Sequence, residues 1–84
     1  MREIIQGRLW LGTAVDVRGA CALHDAGIHA VVDLAYEERP AQLPRDLWYC
    51  RFPIVDGLGN GIDLLTTAIE TVAALIHGQV PALV

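Results

Sequence analysis

Apolar residues come in short runs, set apart by turn signals. Ile4-Ile5 and Leu9-Trp10-Leu11 flank Gln6-Gly7-Arg8, which predicts a β-turn-β entry ended by Gly12. Asp16 is placed to cap a helix from Val17 to Ala26. Gly27 suits the left-handed position after that helix, and Ile28 supplies the apolar contact that accompanies such a stop. Ala30 to Ala35 reads as a strand whose first half does not alternate, as expected where both faces are covered. Residues 36–47 are polar and contain Pro40 and Pro44, which predicts a surface connection with one helical turn. Trp48, Cys50 and Phe52 alternate with Tyr49 and Arg51, the period of a strand, and Pro53 removes a ladder donor. From Ile62 to His77 the spacing of Leu65, Ile69, Val72 and Ile76 predicts an amphipathic helix, stopped at Gly78. Val80 to Val84 is a last apolar strand.

Strands that alternate with helices predict an α/β fold with a mainly parallel central sheet flanked by helices. Residues 1–84 are read as one unit, the N-terminal part of a single domain. Hydrophobic residues make up 54% of the chain, and this richness suits a buried parallel sheet or a piece of a larger core. No apolar run approaches the ~20 residues of a membrane span, so no membrane association is expected. The net charge is −4, and the basic residues are six scattered arginines, which argues against nucleic acid as a partner. Cys21 and Cys50 sit in apolar contexts and form no CxxC pair. They are expected as buried, reduced thiols in a cytoplasmic protein.

The chemistry converges on Asp56. It follows the strand ending Phe52-Pro53-Ile54-Val55 and opens a loop with Gly57, Gly59 and Gly61. A carboxylic acid on such a loop can deliver a proton to a substrate, while an Asp-Gly pair can equally serve only to start a turn. The local pattern leaves both readings open. Elsewhere the pattern favours structure. Cys21 and His24 lie three apart on a predicted helix but lack a third metal ligand, and no metal is expected. His29 flanks a strand, and His77 suits a helix C-terminus. The glycine loop fails the dinucleotide pattern GxGxxG because Ile62 follows Gly59 by three, so no cofactor is expected. Glu37, Glu38 and Arg39 read as a solvated face.

Taken in order, the segments resemble the dual-specificity phosphatases of the cysteine-dependent protein tyrosine phosphatase superfamily. The matching pieces are Gly7-Arg8-Leu9-Trp10-Leu11-Gly12, Leu23-His24-Asp25-Ala26-Gly27-Ile28 and Val31-Val32-Asp33-Leu34-Ala35. Tyr49-Cys50-Arg51-Phe52-Pro53-Ile54-Val55-Asp56, the last helix and Val80-Pro81-Ala82-Leu83-Val84 complete them. The resemblance implies an incomplete phosphatase-like fold, truncated before the phosphate-binding loop HCxxGxxR. It also implies that Asp56 is the general acid and base of phosphomonoester hydrolysis through a phosphocysteine. The family nucleophile is followed six positions later by arginine, whereas Gly27 follows Cys21 and Asp56 follows Cys50 at that distance. Nucleophile and phosphate-binding arginine are therefore not present in this chain, which is expected to be inactive alone. The implied substrate is a phosphoprotein or a small phosphoester.

Two rival expectations stand beside it. One is a truncated or pseudophosphatase interaction module that self-associates through an unfinished sheet edge. The other is a fragment similar to rhodanese-type sulfurtransferases, suggested by Val32-Asp33-Leu34 followed by Glu37-Glu38. The stretch from Tyr49 to Asp56 fits that second family less well.

Overall fold

The structure is a computed structural model and describes residues 1–35, 39–55 and 59–84. The chain enters through a hairpin. Strands β1 (Arg2–Ile5) and β2 (Leu9–Leu11) pair antiparallel around a three-residue turn, in which Gly7 takes φ +69°. Arg8 N–H donates to the Ile5 carbonyl across that turn at 2.9 Å.

Two short helices follow, α1 (Ala14–Val17) and α2 (Ala20–Asp25), where one helix from Val17 to Ala26 was expected. Thr13, not Asp16, is the N-cap. Asp16 stands three residues on and reaches back, its Oδ2 accepting the Thr13 N–H at 2.9 Å. That start moves the helix upstream, and Gly19, a weak helix former, separates its two pieces. The predicted stop at Gly27 holds. Gly27 has φ +78°, its N–H donates to the His24 carbonyl, and Ile28 N–H donates to that of Leu23. Leu23 and Ile28 lie buried in one cluster, which supplies the apolar contact.

Strand β3 (Ala30–Ala35) matches its expected bounds, and Ala30, Val31 and Val32 are fully buried. The 39–47 segment contains no helical turn. It closes on a Pro44–Leu47 turn, with Leu47 N–H donating to the Pro44 carbonyl at 3.1 Å. Strand β4 (Trp48–Ile54) then runs parallel to β3. Pro53 does not end this pairing. The register shifts between Asp33 and Ala35, so that Arg51 faces Asp33 and Ile54 faces Ala35. An edge strand with a bulge tolerates a residue that lacks a donor.

Helix α3 (Ile62–His77) packs on β4, and strand β5 (Ala82–Leu83) completes the sheet. The strand order is β1-β2-β5-β3-β4, with every pairing parallel except β1 with β2. The last strand is thus central, hydrogen-bonded to β2 on one side and β3 on the other. The sheet's edges are β1 and β4.

Alternating side chains divide the core in two. Trp10, Val31 and Leu83 lie with Leu23, Ile28 and Leu47, under α2 and the 39–47 segment. Ala30, Val32 and Ala82 lie with Leu75 and Val72 of α3 on the other face. The buried face of α3 overlaps the expected one, with Val72 packed on the sheet and Leu65 and Ile76 half-buried, but departs from it at Ile69. Ala68 and Leu75 are buried, whereas Ile69 is 70% exposed.

Candidate functional site

A cavity of ≈ 570 Å³ opens where the parallel strands end. Leu11 and Gly12 bring β2 to it, Asp33, Leu34 and Ala35 bring β3, and Leu83 and Val84 bring β5. Ligands of open α/β sheets bind beyond the carboxyl ends of the strands, and this crevice occupies that place. One wall is formed by Thr13, Ala14, Val17 and Arg18, and the other by Arg39, Pro40, Ala41 and Gln42. The turn from β2 into α1 is tight here. A Cβ added at Gly12 would lie 2.8 Å from Leu83 Cδ1 and 2.9 Å from Asp16 Oδ2. The Met1 ammonium also binds Asp16 Oδ1 at 3.2 Å. Together with the Thr13 N–H bond, the larger influence, it holds the Asp16 carboxyl below its ordinary value.

A polar network fixes the floor to the second wall. Asp33 Oδ1 accepts the Ala35 N–H at 3.0 Å, and Oδ2 accepts the Tyr49 hydroxyl at 2.6 Å. The Tyr49 oxygen in turn accepts the Ala41 N–H at 3.0 Å. Arg51 Nε stands 3.8 Å from Asp33 Oδ2, and its Nη2 donates to the Ala35 carbonyl at 3.4 Å. Burial, and then the hydrogen bond to the Asp33 carboxylate, push the Tyr49 phenol above its ordinary value. Both oxygens of Asp33 are engaged, so this carboxylate holds the crevice together and is poorly placed to move protons. Sequence reasoning did not assemble this network. The available signals were a carboxylate inside an apolar strand, and Tyr49 and Arg51 two apart on one face. What joins them is the β3–β4 register, with Val31 opposite Tyr49 and Asp33 opposite Arg51.

Asp56 lies outside the described residues, as do Glu37 and Glu38. The described ends of its loop are tied together. Val55 N–H donates to Asn60 Oδ1 at 2.8 Å, and Asn60 Nδ2 donates to the Val55 carbonyl at 2.6 Å. Gly59 takes φ +108°, a conformation the expected glycine loop accommodates.

The other singled-out residues are not brought together. Cys21 is exposed, contrary to expectation, because α2 turns only Leu23 fully inward. Cys50 is partly buried against the α3 side of the sheet. His24 Nε2 lies 4.0 Å from Asp46 Oδ2, and with His29 and Trp48 they line a hollow of ≈ 270 Å³ at the opposite ends of the strands. His77 is exposed in the last turn of α3. Among the described residues no three His, Cys, Asp or Glu side chains are grouped to hold a metal. No helix among them is long and apolar enough to cross a membrane.

Neither a protein-family model nor a curated protein matches this chain.

Proposed function

We propose that this chain is the N-terminal part of a dual-specificity phosphatase domain, acting in the cytoplasm on a phosphoprotein or small phosphoester. The observation that carries the reading is the central, parallel position of β5, whose Leu83 and Val84 floor the crevice at the strand ends. In the family that the sequence resembles, the strand matching Pro81 to Val84 leads into the phosphate-binding loop. A loop there would stand over the middle of the sheet, between the Arg18 and Arg39 walls.

The reaction divides between what this chain has and what it lacks. A cysteine thiolate of the following loop attacks phosphorus, forming an S–P bond as the P–O bond to the leaving group breaks. Asp56 gives its proton to the leaving oxygen, then takes one from water as that water displaces the thiolate. Arginine and backbone N–H groups of the loop stabilise the oxygens. The chain alone is therefore inactive, since loss of an activated nucleophile can cost on the order of a million-fold in rate.

The first test is to read the codons that follow Val84. A sequence HCxxGxxR supports the reading, and an immediate stop sinks it. Asp56→Asn in the extended chain should then slow hydrolysis by roughly a hundred- to ten-thousand-fold for poor leaving groups. For leaving groups that depart readily as anions the loss should be much smaller. A penalty independent of the leaving group makes Asp56 a structural turn residue instead.

The competing reading is an interaction module without catalysis. It is favoured by exposed apolar residues on the sheet and on α3, Leu11, Ile4, Ile62 and Ile69 among them. A stop codon directly after Val84, together with reversible self-association, would support it.

A further inference from the structure

We propose that the hollow at the amino ends of β3 and β4 takes an arginine side chain of a partner protein, stacked on Trp48 and paired with Asp46. It lies at the opposite end of the sheet from the crevice, so this role is separate from phosphoester hydrolysis. Its walls carry Trp48, Asp46, His24 and His29, and the buried residues Ile28 and Leu47 line it as well. Leu47 explains how the two chosen groups come together. It turns into the core just before β4, so its neighbours Asp46 and Trp48 are left outside, against the hollow.

Trp48 is held by its backbone and open at its ring. Its N–H donates to the His29 carbonyl at 2.9 Å, yet the residue is 56% exposed. Among the described residues no hydrogen bond or ring contact engages the indole. An open tryptophan of this kind is a common anchor of protein interfaces. Asp46 is available too. Its carboxylate accepts no hydrogen bond among the described residues, and Arg45 forms no ion pair among them. His24 Nε2 stands 4.0 Å from Asp46 Oδ2, too far for a hydrogen bond, and is charged only when protonated.

An indole beside a carboxylate selects for guanidinium. Its planar fork reaches both carboxylate oxygens, and its flat face stacks on the ring. An ammonium brings the charge without the plane, and an apolar side chain would desolvate Asp46 without pairing it. Size agrees, because ≈ 270 Å³ falls just below the ~300–1,000 Å³ of small-molecule sites and suits one long side chain. The net charge of −4 favours the approach of a basic partner.

The experiment is NMR titration of the 84-residue chain with a capped peptide, Gly-Gly-Arg-Gly-Gly, at about pH 8, above the range in which an ordinary histidine charges. Saturable shifts are expected at the Trp48 indole N–H and at the amides of Gly27, His29 and Asp46. One exposed side chain supplies a dissociation constant on the order of ten millimolar. Citrulline in place of arginine keeps the shape without the charge and should weaken binding by roughly ten-fold. Lysine in that place should bind more weakly than arginine. Asp46→Asn and Trp48→Leu should each weaken binding by roughly three-fold. Both positions are exposed, and the dispersion of the amide spectrum checks that the variants fold. The citrulline comparison needs no variant at all. Absence of saturable shifts, shifts that survive the double variant, or equal binding of the citrulline peptide overturns the site. Binding of capped free arginine without binding of the peptide overturns the protein partner. None of these results depends on the sequence that follows Val84, so the site and the phosphatase reading stand or fall separately.

Discussion

Tyr49 is the residue on which the crevice most depends. Its hydroxyl donates to Asp33 and accepts from Ala41, joining β4, β3 and the second wall through one atom. Tyr49→Phe keeps the ring and strands both partners, which should destabilise the fold by about 1–3 kcal/mol, read by urea denaturation. A change within error would show that water replaces the hydroxyl. The raised phenol also sets a pH dependence. The native state keeps a proton that the unfolded chain releases near its ordinary 10.0, so this stability is complete below that value. It is lost as pH rises through the higher folded value. Tyr49→Phe should flatten the alkaline limb of a stability profile. Gln79 is a second informative residue. Gly78 was expected to provide the helix stop, yet it is right-handed at φ −76°, and Gln79 adopts φ +58°. Gln79 N–H and Val80 N–H close the helix on Ile76 and Leu75. Gln79→Gly should therefore stabilise by about 0.5–1 kcal/mol, less what glycine adds to the freedom of the unfolded chain. A fall in melting temperature would count against this conformation.

At the scale of elements, α3 shows how far periodicity reaches. Spacing placed Leu65, Ile69, Val72 and Ile76 on the inner face; Val72 packs on the sheet beside Leu75 and Ala68 is buried, whereas Ile69 turns outward. A helix apolar on more than one side can bury either stripe, and packing against β4 chooses. Leu75→Ala should cost about 2–5 kcal/mol, while Ile69→Gln should stay within about 0.5 kcal/mol. Comparable losses at both positions would mean that Ile69 is covered in solution. The entry helix teaches a different point. Asp16 was read as a cap because Asp is a good one, but Thr13 three residues earlier makes the pair that starts the helix.

For the whole molecule, the uneven cover of the sheet matters most. Trp10 points to the α2 side, so Leu11 points to the α3 side, where α3 packs on β4 and leaves Leu11 50% exposed. Ile4 and Ile5 on the neighbouring strand are exposed as well. Apolar residues on adjoining strands invite association. Sedimentation at micromolar concentration should reveal reversible self-association that Leu11→Ser weakens. A monomer at every concentration, with sharply cooperative unfolding, would show that the sheet needs no further cover.

Local chemistry, read from the sequence, determined the strands, the last helix and the α/β order, though not the start or the splitting of the entry helix. The β3 bounds, the Gly27 stop, the hairpin and the α/β alternation all follow from contacts within a few residues, which a linear pattern records. Tertiary structure decided what depends on residues far apart in the chain. The β3–β4 register brings Asp33, Tyr49 and Arg51 together, and pairing on both sides makes β5 central. The same packing turns Cys21 outward and Ile69 away from the sheet. Periodicity assigns a residue to a face of its own element, but the neighbour on that face is fixed only when strands and helices pack.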